Sequence, residues 1–270
     1  MHFQNLKKMK TQRFVTIILL LALFQPFLYG QANEHRLLNA TPDSIPKKQD
    51  CKAAKIAGIA LPAAMITYGI ISQGDNGIRH LDYNVRSSIE INKGFHFEDY
   101  LQFAPAVAAY AMKFSGVKSS HDLLDMTVLY GLSNLVGGVV TVGTKLKVGR
   151  MRPDNSDRQS FPSGHTETAF VAAEFLHQEF KDQSVWISVG GYAAATVVGV
   201  ARIYHDKHWV SDVVTGAGIG ILSTKAVYWV YPYIQKIFRK WDVYDKYDKK
   251  HNPDYRQTFI FPDTVTETYV

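Results

Sequence analysis

The chain has 270 residues, 46% of them hydrophobic and 20% charged, with a formal net charge of +6. That is enough chain for one or two domains with a sizeable core, and the composition excludes a disordered polymer. Lys7, Lys8, Lys10 and Arg13 supply four of the positive charges, in an acid-free stretch over 1–30, so the rest nets only +2 and does not argue for nucleic acid.

Residues 1–30 show a basic start, an apolar run over 14–24, Gln25-Pro26 and a small-residue exit at Gly30. This is the order of a bacterial secretory signal; the other reading is an uncleaved first transmembrane helix. Residues 31–50 are polar, contain Pro42 and Pro46, and read as a linker. Cys51 is the only cysteine, so no intrachain disulfide is possible and a thiol-ligated zinc site is disfavoured.

Five later stretches, 53–72, 101–117, 127–144, 185–204 and 209–231, have the length and apolarity of buried or membrane helices. A sixth helix, over 165–180, carries Glu167, Glu174, His177 and Glu179 and is not expected to face lipid all round. A mean hydropathy of -0.12 agrees with a membrane part that carries substantial polar segments. Small residues recur at Gly137-Gly138, Gly190-Gly191 and Gly216-Ala-Gly-Ile-Gly220, where they would let helix backbones approach closely. The expected fold is all-α over 51–235, a membrane-associated bundle of about six core helices. The 73–100 connection reads as a surface loop or a short amphipathic lid, and 236–270 as a polar tail. If all six helices span after a signal segment, 145–164 falls in the cytoplasm. Lys236, Arg239 and Lys240 instead favour a cytoplasmic C-terminus, with the 145–164 end outside.

The chemistry concentrates between Lys145 and Asp212. His208 and Asp212 are four apart at the start of an apolar stretch, so they share a helix face. A carboxylate there can take the proton of one imidazole nitrogen and leave the other free as nucleophile or base; a structural or metal-binding pair is the blander alternative. His205 has Trp209 rather than a carboxylate at i+4 and reads as a bystander. Pro162-Ser163-Gly164-His165 lies where a polar loop gives way to helix. Ser163 can offer a hydroxyl, Gly164 an approachable amide and the helix start a partial positive charge, which together suit an anion. His165 would then stand ready to protonate a leaving oxygen. The bland alternative is an N-cap serine beside a solvated histidine. Lys145, Arg152 and Arg202 are the cations. Pro153 pushes Arg152 toward an extended backbone, and Arg202 near the end of an apolar helix calls for an anion nearby. Lys147, Arg150 and Arg158 read as anchors at a helix end.

Lys145, six residues, Arg152-Pro153; Pro162-Ser-Gly-His165; and Arg202, five residues, His208, three residues, Asp212 resemble the three motifs of the type 2 phosphatidic acid phosphatase and vanadium haloperoxidase superfamily. Ala201 departs from the pattern, which has a serine before the second arginine. The resemblance covers about 95–232. It implies that His208 is a nucleophile forming a phosphohistidine, that Asp212 orients it, and that His165 is the general acid and later the base. It also implies that Lys145, Arg152, Ser163, the Gly164 amide and Arg202 hold the phosphoryl oxygens. It implies no cofactor and, with no acids spaced for a metal, metal-independent activity. The implied substrate is a phosphorylated membrane lipid: undecaprenyl diphosphate, a lipid A phosphate or phosphatidylglycerophosphate. The implied setting is the bacterial inner membrane with a periplasm-facing site, or the periplasm itself. A soluble acid phosphatase, a vanadate-bearing haloperoxidase and an inactive scaffold are the alternatives.

Overall fold

A helix with five titratable side chains occupies the centre of the molecule. The computed structural model describes residues 52–91 and 94–241, which contain eight helices and no strand. In chain order they are α1 Lys52–Ile71, α2 Gly77–Ser88, α3 Glu98–Leu101, α4 Ala104–Phe114, α5 Leu123–Val148, α6 Gly164–Phe180, α7 Val185–Tyr204 and α8 Val210–Trp241. Expectations for 1–51 and 242–270 fall outside the described residues.

Helix α6 buries 12 of its 17 residues, so its acids need partners from neighbouring helices. Glu174 is held by Lys225 of α8 at 2.7 Å and by the Tyr192 hydroxyl of α7. Glu179 accepts from Tyr228 at 2.5 Å and from the His121 amide at 3.0 Å. Glu167 is the exception: its buried Oε1 has no hydrogen-bond partner and lies over Gly137. Polar cross-links of this kind, rather than a hydrophobic driving force, hold helices together in lipid.

The run of small residues in α8 works as anticipated. A Cβ on Gly216 would come within 2.4 Å of the Ser163 carbonyl oxygen, and one on Gly220 within 2.5 Å of the Glu167 carbonyl oxygen. Both clashes are with α6 or the turn that starts it, so these glycines set how closely α8 approaches the site. Gly218 faces the other way, against Pro62 of α1.

Two helix expectations need correction. The 101–117 stretch is not one helix: α3 has four residues, and α4 starts afresh at Ala104 with proline in its first turn, where a missing N–H costs nothing. At 11 residues α4 is about 16 Å long, too short for a hydrocarbon core of about 30 Å. Among the described residues three helices are long and apolar enough to cross a membrane: Leu123–Val148, Val185–Tyr204 and Val210–Gln235. On α5 the side chains of Leu135, Val139 and Val142 are exposed yet apolar, which suits a lipid-facing surface. The 73–100 connection holds a true helix, α2, capped by Asn76, whose side-chain oxygen accepts from the Ile78 and Arg79 amides. Helix α8 runs on past 235 to Trp241.

Candidate active site

The C-terminal ends of α5 and α7 and the N-terminal ends of α6 and α8 meet at one end of the bundle. Helix α5 stops at Gly149, which adopts the left-handed conformation (φ 58°) and donates its amide to the Lys145 carbonyl. This leaves Lys145 in the last turn and releases Arg150-Met-Arg152 as irregular chain, with the Trp209 indole N–H bonded to the Met151 carbonyl at 2.9 Å. Helix α7 ends in a turn at Asp206 (φ 59°), and the amides of Lys207 and His208 fold back onto the Arg202 carbonyl. Pro162 follows a cis peptide bond, and the Ser163 amide donates to the Asp212 carbonyl at 3.0 Å, tying the α6 start to that of α8.

His208 is 2% exposed. Its Nδ1 lies 2.7 Å from the Ser160 carbonyl oxygen, an acceptor only, so Nδ1 carries the proton and Nε2 presents a lone pair. The nearest group to Nε2 is an Arg152 guanidinium nitrogen at 3.5 Å. Asp212 is not the hydrogen-bonded partner of His208 that the spacing suggested: its Oδ2 is 3.7 Å from Nδ1, an electrostatic distance. Its oxygens are taken instead by Arg150 at 2.8 Å, the Ser160 hydroxyl at 2.5 Å and the Trp209 amide at 2.9 Å. Asp212 therefore sets His208 by building the turn around it.

Arg150 is no surface anchor. Its side chain is 7% exposed and also pairs with Asp82 of α2 at 2.8 Å, while Asp82 accepts from the Ser211 hydroxyl and amide. Sequence reasoning missed Asp82, Arg150 and Ser160. The surplus cation in Gly149-Arg-Met-Arg-Pro153 was the one available signal.

The other cations are half engaged. Arg152 pairs with Asp157 at 2.8 Å, Lys145 donates to the Gln159 carbonyl at 2.5 Å, and Arg202 pairs with Glu98 of α3 at 3.0 Å. The buried Arg202 Nε has no hydrogen-bond partner. Ser163 is fully buried and its hydroxyl is 2.9 Å from that of Thr166, so it caps the turn's interior rather than pointing at solvent. A Cβ on Gly164 would meet nothing closer than Thr141 at 3.9 Å and Lys145 Cε at 4.0 Å, so packing does not demand the glycine. His165 stands in the first turn of α6, its side chain 35% exposed, with Asp99 Oδ1 2.9 Å from Nε2. All eight sequence-selected residues thus gather at one end of the bundle.

Residues 126–236 match the PAP2 superfamily. That match takes in less than half of the chain. It is 34% identical over 171 residues to lipid A 1-phosphatase of Porphyromonas gingivalis, covering 62% of this chain and 36% of that protein. It is 33% identical over 119 residues to phosphatidylglycerophosphatase B of Bacillus subtilis, covering 39% and 56% of the two chains. A third relative, bacitracin transport permease protein BcrC of Bacillus licheniformis, is 33% identical over 94 residues, or 35% and 44% of the two chains. The chain therefore spans between 36% and 56% of the lengths of these relatives.

At this end of the bundle the two histidines differ electrostatically. Burial pushes His208 down to about 4, against the pull of Asp212, so it is neutral at neutral pH. Burial and the Arg202 charge also lower His165, opposed by Asp99. One cluster has ligand geometry for a metal: His96, Glu98 and His205 place their donor atoms within 4.8 Å of one another. Both imidazole Nδ1 atoms lie on Glu98 Oε1, at 2.9 and 2.7 Å, and Arg202 joins them. Burial raises the Glu98 carboxyl, but the His96 and His205 bonds outweigh it and hold it at about 2. Arg202 already supplies a positive charge to this carboxylate through Oε1, while the buried Glu98 Oε2 has no hydrogen-bond partner. His205 is accordingly no bystander; it steadies the partner of Arg202.

Proposed function

We propose that the chain is a lipid phosphatase of the PAP2 type, acting through a phosphohistidine on His208. The observation that carries this reading is His208 Nε2: unprotonated, fixed through Nδ1, and set among Arg152, Lys145 and Arg202. In the first half-reaction Nε2 attacks phosphorus while the P–O bond to the lipid alcohol breaks, and His165 gives its proton to the departing oxygen. In the second, His165 takes a proton from water, whose oxygen attacks phosphorus and releases His208 and phosphate. Arg152, Lys145, Arg202 and the Gly164 amide hold the equatorial oxygens, where transition-state charge accumulates. Arg152 exchanges Asp157, a partner whose side chain is 47% exposed, for a phosphoryl oxygen. The three cations take the charge-neutralising role that magnesium has in other phosphoryl transfers, so the reaction needs no metal.

The lipid setting rests on the apolar helices and on relatives named for lipid phosphates. Of the three relatives named above, the one aligned over the most residues is a lipid A 1-phosphatase, which puts a lipid A phosphate first among candidate substrates, before undecaprenyl diphosphate and phosphatidylglycerophosphate. Helix α8 leads away from the site toward Lys236, Arg239 and Lys240; a cytoplasmic end there puts the site on the periplasmic face. The test is phosphate release by detergent-purified protein, with EDTA present, from these lipids and from p-nitrophenyl phosphate. A lipid preference is expected. Preference for the soluble compound would favour a nonspecific acid phosphatase, and abolition by EDTA reversed with magnesium would refute metal independence.

A further inference from the structure

Lipid alcohols are poor leaving groups, so a lipid phosphatase depends on a charged acid at the departing oxygen. His165 is poorly placed to be charged by itself. It is partly buried, Arg202 of α7 faces it, and the Lys145 side chain of α5 passes the adjoining Gly164. The carboxylates that face it both come from α3. Glu98 is already committed to His96, His205 and Arg202. Asp99 is not: its Oδ1 is 2.9 Å from His165 Nε2 and a longer 3.7 Å from Arg202 Nη1.

We propose that Asp99 is the positioning residue that keeps His165 in its imidazolium form, ready to protonate a lipid alkoxide. This rests on the phosphatase reading above. The proton moves from His165 to the leaving oxygen as the P–O bond breaks and the P–N bond to His208 forms. Asp99 exchanges no proton with the substrate, and His165 recovers its proton from the attacking water in the second half-reaction. The surroundings of α3 fit the task. Phe95 and Tyr100 are stacked with ring centroids 6.3 Å apart and are 76% and 73% exposed, an aromatic pair of the kind that sits at a membrane interface. The carboxylate that governs the acid therefore lies beside the surface from which a lipid alcohol would depart.

The test compares wild type with Asp99→Asn in detergent, on the lipid phosphomonoester that wild type cleaves fastest and on p-nitrophenyl phosphate, whose phenolate departs without a proton. The side chain of Asp99 is 49% exposed, and equal melting temperatures will confirm that the variant folds. We expect kcat on the lipid to fall roughly tenfold or more, and turnover of the aryl phosphate, whose leaving group needs no proton, to fall by a clearly smaller factor. The alkaline limb of the lipid pH profile should move to lower pH, and Asp99→Glu should restore part of the loss. Equal losses on both substrates, no loss on either, or a lower KM at unchanged kcat would overturn the proposal, the last by showing that Asp99 merely occupies the phosphate site. A wild type inert on every phosphate ester would overturn the phosphatase reading itself, and this proposal with it.

Discussion

His208 and His165 stand at the same end of the bundle in opposite kinds of environment. Around His208 the structure is dry and over-determined. Ser160 fixes one nitrogen, Asp212 is saturated by Arg150, Ser160 and the Trp209 amide, and Arg150 is locked to Asp82 from a helix 68 residues upstream. Around His165 a single half-exposed carboxylate on a four-residue helix does the holding. The difference matches two chemical jobs. A nucleophile needs one nitrogen, neutral and immobile, at a fixed distance from phosphorus. An acid that later becomes a base needs access to water and tolerance for a departing alcohol of variable shape.

The largest test of that contrast is deletion of each histidine. His208→Ala should lower phosphate release by about 10⁴-fold or more on every substrate while the protein remains folded. His165→Ala should slow formation of the phosphohistidine much less with p-nitrophenyl phosphate than with a lipid, while slowing hydrolysis of that intermediate equally for both. Equal losses in phosphohistidine formation would erase the proposed division of labour, and near-wild-type turnover by His208→Ala would remove the nucleophile assignment. Next in size is Arg150→Met, which leaves Asp82 and Asp212 as uncompensated buried carboxylates. A loss of about 3–5 kcal/mol is expected, read as a large drop in melting temperature together with lost activity. An unchanged melting curve would mean that the His208 side is less rigid than its contacts imply.

The pH profile sharpens the comparison further. His208 acts in its neutral form, which is present above about 4. His165 acts in its charged form, present below a pKa that burial and Arg202 hold under the usual histidine value. A bell-shaped kcat/KM on the acidic side of neutrality is therefore expected, rising through His208 and falling through His165. An optimum above neutral pH would reverse at least one assignment. The smallest effect belongs to Arg86→Ala. This pair with Asp206, at 2.7 Å, borders the same turn, but the Arg86 side chain is 38% exposed. Its loss should cost no more than about 1 kcal/mol in denaturant titration, and a larger value would extend the rigid region outward from Arg150.

What was legible in the sequence followed from spacing. Gly216 and Gly220 announced a close helix approach because a helix turn fixes which residues share a face, and α6 does pack on that face. The gathering of the eight selected residues at one end of the bundle was legible because their motifs are short and sit at helix ends. The 101–117 stretch was misread because apolarity without a turn signal cannot distinguish one helix from two; the break at Gln102-Phe103 carries no glycine, and Pro105 is tolerated in the first turn of α4. Arg150 was misread because a cation two residues from a helix end looks the same whether it reaches water or two buried acids. Asp82, Glu98 and Asp99 were missed for a related reason. Apart from His96 beside Glu98, their partners lie 66 to 129 residues away in the chain, and no periodicity links them.

Lys145 to Asp212 could be read from the sequence as a candidate anion site, and through the resemblance of its three motifs as a candidate phosphoryl site, because each motif carries its own local pattern: a cation at a helix end, an amide at a helix start, a histidine one turn before an acid. Which imidazole nitrogen is free, which carboxylate serves which cation and how dry each histidine is were decided only by tertiary structure. Those properties depend on distances between side chains and on exclusion of water, and both are set by the packing of α2, α3, α6 and α8 around one end of the bundle rather than by any neighbourhood in the chain.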